Sequence, residues 1–229
     1  GFDQWCKLFT PRQLLVLGTF VKYTRAVREA MRIDGYSVEW IEAVSAYLAL
    51  AVDRVADRGS TICTMVPSRE TIGHTFARFA LPITWDFAES APINDATGGY
   101  PGAIEWVSLY ITHALLAVET SLTPGVRNTS SQSLSGLVNY DFVITDPPYY
   151  DAIPYSDAMD FFYTWLRRSL HGLYSDIDRA FAEPLAPKWD HETGDGELID
   201  DASRFDGDKE RSKAAYEDGM YRAFLASHH

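Results

Sequence analysis

Within five residues, Asp146-Pro147-Pro148-Tyr149-Tyr150 gathers a carboxylate, two prolines and two phenol rings. The prolines fix φ and carry no N–H, so they add no donors that compete with the neighbouring acceptors. Directly before this string, Tyr140-Asp141-Phe142-Val143-Ile144 has the length and β-branched content of a buried parallel strand. Ligands of open α/β sheets sit beyond the carboxyl ends of such strands. Taken as a bare tetrapeptide, Asp-Pro-Pro-Tyr reads equally well as a loop in which proline stops the sheet and Tyr149 packs nearby.

Other chemistry-bearing residues are sparser. Asp151, Asp157 and Asp160 cluster after the motif, and Tyr150 and Tyr155 stand close to it. His113 lies in an apolar helical run with no partner at metal-ligand spacing, and no metal site is expected. Cys6 and Cys63 are too few and too far apart for a zinc ribbon; they imply a reducing, cytoplasmic setting. Gly98-Gly99-Tyr100-Pro101-Gly102 follows no strand and reads as a surface loop, and Gly194-Asp195-Gly196 reads likewise.

Asp146-Pro147-Pro148-Tyr149-Tyr150-Asp151-Ala152-Ile153-Pro154-Tyr155-Ser156-Asp157, running into Asp160-Phe161-Phe162-Tyr163-Thr164-Trp165, resembles the large adenine-specific DNA methylases that carry a zinc ribbon. Leu8-Phe9-Thr10-Pro11-Arg12-Gln13-Leu14, Tyr47–Arg54, Ala80–Glu89 and Glu217-Asp218-Gly219-Met220 are similar to the same family, in its order. The resemblance implies a mostly helical part of a Rossmann-like α/β methyltransferase dependent on S-adenosylmethionine, with the motif strand and few others. It implies transfer of a methyl group to the N6 amine of adenine in DNA.

That amine is a poor nucleophile because its lone pair is delocalised into the ring. Two acceptors aimed at its N–H groups favour tetrahedral geometry and hold it in line with the methyl group. By resemblance these are the Asp146 carboxylate and the Pro147 carbonyl, set by Pro148, while Tyr149 stacks on a base drawn out of the duplex. Tyr150, Asp151 and Tyr155 are then candidates for the target-base pocket, and Asp86 and Glu89 for the active-site wall or for cofactor contacts, unless Trp85 and Phe87 simply pack while the two acids face water or cap a helix. The family carries an acid before its motif strand; here Arg127-Asn128-Thr129-Ser130 has none, which leaves Asn128 and Ser130 as the groups for the cofactor's adenine edge.

No glycine-rich cofactor turn follows a first strand. The resemblance places that turn and the zinc ribbon upstream, and further strands downstream, in a larger protein. It also implies a place in restriction-modification or phage defence. A noncatalytic DNA-binding or assembly module of such a system is the alternative.

The positioning elements are mainly helices. Thr10 and Pro11 open the first, with Val16, Phe20, Tyr23, Val27 and Met31 at helical spacing. Ile41, Val44, Leu48, Val52 and Val55 form the buried stripe of the second, with Asp53 and Asp57 on its outer face. A short strand is expected at 61–66, a short helix over 69–79, and a largely buried apolar helix at 104–118. Ser156 caps a helix to Leu170, residues 187–207 form a long, mobile acidic loop, and Asp208 starts the last helix. Residues 1–122 read as a helical insertion within the methyltransferase domain, and 123–229 as the part of its core that bears the motif.

With 229 residues and 46% hydrophobic content the chain is long enough to bury a core. No apolar run is expected to reach the length of a membrane span. The net charge of −12 does not attract phosphate, and 174–218, with 14 acids and 6 bases, holds most of it. Lys22, Arg25, Arg28 and Arg32 share one helix side, either as a solvated face or as a track for a phosphate backbone.

Overall fold

The computed structural model describes residues 3–77, 80–134, 141–150 and 153–228. Two compact units form, Gly1–Leu122 with Asp160–Leu185, and Thr123–Met159 with Ala186–His229. Residues 160–185, expected with the motif segment, join the first unit, because Phe161 and Trp165 belong to its core.

In the first unit, α1 (Pro11–Ile33) starts at a reciprocal cap. The Thr10 hydroxyl accepts the Gln13 N–H, and the Gln13 side chain accepts the Thr10 N–H. Helix α2 (Val38–Asp57) starts at Ser37, whose hydroxyl accepts the Trp40 N–H. Leu8, Phe9, Leu17, Val52, Val55 and Ile62 fill the core with Phe161 and Trp165. Phe161 is fully buried, with the rings of Trp5, Phe9, Phe76 and Phe162 at 5.1–5.9 Å. Its truncation to Ala is expected to cost about 3–5 kcal/mol.

Three helix faces differ from expectation. In α1 the buried positions are Gln13, Leu17, Thr24, Arg28 and Met31, so the face is rotated about one residue from the apolar stripe and Tyr23 is exposed. Arg28 is buried, not solvated. It donates through Nη1 to the His171 carbonyl at 2.9 Å and through Nη2 to the Ser169 carbonyl, while Arg25 donates to the Arg168 carbonyl at 3.2 Å. These carbonyls end α4 (Tyr155–Leu170), whose last turn lacks intrahelical donors. Half of the proposed phosphate track is therefore a helix cap. In α2, Asp53 is buried rather than outward, and burial raises its carboxyl well above the usual range, with Asp57 adding to the rise.

Helix α3 (Tyr100–Val118) is the third departure. Its first turns pack, with Ala103 buried and Tyr100 stacked on Phe20 at 4.3 Å. Trp106, Leu109, Tyr110, Leu115 and Leu116 are exposed. By length and composition α3 could cross a membrane, against the expectation that no run is long and apolar enough, and only 6% of its apolar window is buried.

Among the described residues the one sheet is β1 (Met65–Val66) paired antiparallel with β2 (Thr71–Ile72), Met65 opposite Ile72. A 3₁₀ turn, Pro67–Arg69, joins them, and no helix follows over 70–77. The short helix α5 (Ser175–Ala180) closes this unit's elements.

In the second unit, α6 (Lys209–His228) is preceded by Asp208, which accepts the Glu210 and Arg211 N–H groups at 3.1 Å. The acidic segment 187–207 is mostly loop, with a 3₁₀ turn at Ala202–Phe205, and polar contacts tie it together. The Asp190 carboxyl is held low by the Glu192 N–H and the Thr193 hydroxyl, and Asp190 pairs with Asp195 as an isolated bridge. Arg204 sits 2.6 Å from Glu197 and 3.4 Å from Asp157, and Trp189 packs on Phe205.

Candidate active site

The motif lies in the second unit, in an irregular, exposed segment, 141–149. The expected parallel strand is not formed over 141–144, and Tyr140 lies outside the described residues. Phe142 and Ile144 are 86% and 95% exposed. A strand exists only against a hydrogen-bonded neighbour, and none is present among the described residues.

Asp146 and Pro147 are exposed, and the Tyr149 hydroxyl donates to Asp146 Oδ1 at 3.1 Å. That hydrogen bond and the carboxylate charge raise the Tyr149 phenol above its usual range. The chain then turns. Tyr150 is left-handed at φ 49°, and its N–H donates to the Pro148 carbonyl at 3.1 Å. The same carbonyl accepts the Tyr216 hydroxyl of α6 at 2.9 Å, and the Tyr150 carbonyl accepts the Asp200 N–H at 3.0 Å. The Tyr150 and Tyr216 rings meet edge to face at 4.7 Å. Tyr216 and Asp200 were not among the expected site residues. The sequence signals for this helix were Asp208 at its start and the Glu217-Asp218-Gly219-Met220 resemblance beside Tyr216, and neither singles out Tyr216.

Tyr155 begins α4 and is exposed; Asp151 lies outside the described residues. At the helix start, Ser156 does not cap in the expected way. Its N–H and hydroxyl both donate to the Glu197 carboxylate, at 2.8 and 2.6 Å, so an acid occupies the positive end of α4. A cavity of about 430 Å³ is lined by Pro154, Ile199, Asp200, Asp201, Ala202 and Lys209, sharing Asp200 with the motif's anchor.

The two cofactor candidates differ. Asn128 is exposed, whereas the Ser130 hydroxyl accepts the Gln132 N–H and donates to Asp195 at 2.9 Å, capping a 3₁₀ turn, Ser131–Ser133. Ser130 is therefore engaged in local structure. Asp86 and Glu89 belong to the first unit. Glu89 is held below the usual carboxylate range by its hydrogen bonds from Arg12, at 2.9 Å from Nε.

A Cβ on Gly99 would stand 2.0 Å from the Asn94 carbonyl oxygen, and one on Gly98 would stand 3.1 Å from Ser90 Cβ. Gly99 closes on its own loop, whereas Gly98 lies against Ser90 and Arg58, and both border a cavity of about 90 Å³ with Arg54 and Arg58. Among the described residues no group of three or more His, Cys, Asp or Glu is placed to hold a metal ion. Matched against protein families, curated proteins and solved structures, the chain finds no counterpart.

Proposed function

We propose that this chain supplies the amine-binding side of an S-adenosylmethionine-dependent adenine-N6 DNA methyltransferase, as part of a Rossmann-like α/β domain. The observation that carries this reading is the Asp146–Tyr150 segment, with an exposed carboxylate, a proline-flanked carbonyl and a braced turn. Asp146 and the Pro147 carbonyl accept the two N–H groups of the target amine, drawing its lone pair out of the ring. The Tyr149 ring stacks on the extruded base.

The test is labelled methyl transfer to unmethylated DNA, with digestion to nucleosides. The chain is run beside a version extended in both directions. Label in N6-methyladenosine from the extended protein, abolished by Asp146→Ala with the fold retained, supports the reading; turnover unchanged by Asp146→Ala rejects it. A second reading, a noncatalytic DNA-binding or assembly module, is favoured by the lack of a glycine-rich turn after a first strand in the sequence. It is supported by DNA binding without label from either version.

A further inference from the structure

The turn at the motif is held by residues far along the chain. A carbonyl oxygen has two lone pairs. In Pro148 one meets the Tyr150 N–H at 3.1 Å and the other meets the Tyr216 hydroxyl at 2.9 Å. Two carbonyls later, the Tyr150 oxygen is held by the Asp200 N–H. Asp200 is itself fixed, since the fully buried Ser212 donates its hydroxyl to Oδ1 at 2.5 Å. Tyr150 sits at φ 49°, a conformation that is unfavourable for a non-glycine residue and persists under outside constraint. Ser212 and Tyr216 are one helical turn apart on α6, so one helix supports both ends of this turn. Among the described residues no hydrogen bond reaches the Pro147 carbonyl.

We infer that Tyr216 is a positioning residue for the motif. By filling the second lone pair of the Pro148 carbonyl, and by bracing Tyr150, it removes one of two adjacent carbonyls from competition. Pro147 is then the acceptor presented to an incoming amine. The catalytic consequence rests on the methyl-transfer reading above; the brace rests on geometry alone.

Tyr216→Phe isolates the hydroxyl, because the ring that meets Tyr150 is kept. Two readouts are made. On this chain, NMR hydrogen exchange of the Tyr150 amide is expected to rise about fivefold or more, with the melting temperature nearly unchanged. On the extended active protein, kcat is expected to fall about five- to tenfold while KM for DNA and for the methyl donor stays within about twofold. Unchanged exchange, or a fall in kcat matched by a rise in KM or by a lower melting temperature, overturns the proposal. If wild type and Asp146→Ala label DNA equally, the methyl-transfer reading fails by itself. The exchange arm then still decides whether Tyr216 braces the turn.

Discussion

Gly219 stands inside α6, where glycine costs about 1 kcal/mol relative to alanine. Its surroundings explain why it is there. A Cβ at this position would lie 2.2 Å from Leu198 Cδ2 and 3.3 Å from Cγ and Cδ1. Carbon atoms in contact prefer about 3.5–4.0 Å, so Gly219→Ala must push a Leu198 methyl aside by roughly 1 Å or more. Leu198 is 8% exposed and has little room to yield. Overpacking of this kind costs about 1–3 kcal/mol, which offsets and exceeds the gain in helix propensity, for a net loss of about 0–2 kcal/mol. Chemical denaturation followed by circular dichroism measures it. The sign is the sharper test. In a Leu198→Ala background the space is vacated, and the same Gly219→Ala change is expected to stabilise by about 1 kcal/mol. Stabilisation by Gly219→Ala in both backgrounds would refute the packing argument.

Three further outcomes follow from the same geometry. The raised carboxyl of Asp53 means the folded state keeps a proton that the unfolded chain releases, so its contribution is lost as pH rises above the ordinary carboxylate range. Asp53→Asn is therefore expected to stabilise by at least about 1 kcal/mol at pH 8, and by little near pH 4, in paired denaturation curves. Arg28→Ala removes charged donors from the end of α4 and is expected to cost about 2–3 kcal/mol while leaving DNA affinity unchanged; lost DNA affinity without lost stability would restore the phosphate-track reading. Tyr149→Phe frees Asp146 of its hydroxyl and is expected to retain turnover, whereas Tyr149→Ala weakens binding of single-stranded DNA at least about fivefold, read by fluorescence anisotropy.

Local signals in the sequence carried well where the partner was close. Thr10 and Pro11 mark the start of α1, and Asp208 the start of α6, because caps are settled within one turn. Burial was legible only where residue type and partner agreed. The outward placement expected of Arg28 and Asp53 fails because charge alone does not reveal a carbonyl cap 141 residues away or a crowded helix face. The apolar run in α3 is compatible with either a buried or an exposed helix, since hydrophobicity reports what a surface prefers, not what covers it. At the site, the motif was visible as a string. Its brace was not, as a tyrosine hydroxyl at position 216 has no periodicity tying it to a carbonyl at 148. The acidic segment is mostly loop, as expected, but it is tied by pairings such as Glu197 with Ser156 and Arg204, which no local pattern announces.

The uncovered surface of α3 has a thermodynamic signature. Unfolding raises heat capacity chiefly by hydrating apolar side chains, at roughly 12–15 cal/mol/K per residue in ordinary globular proteins. Side chains such as Trp106, Leu109, Leu115 and Leu116 are already hydrated in the native state and add little when the chain opens. The protein's stability curve is therefore flatter than its length suggests, with a shallow denaturant slope and a weak dependence of unfolding enthalpy on temperature. Whatever shields that helix would steepen the curve, so calorimetry on this chain reads directly how much of α3 remains in contact with water.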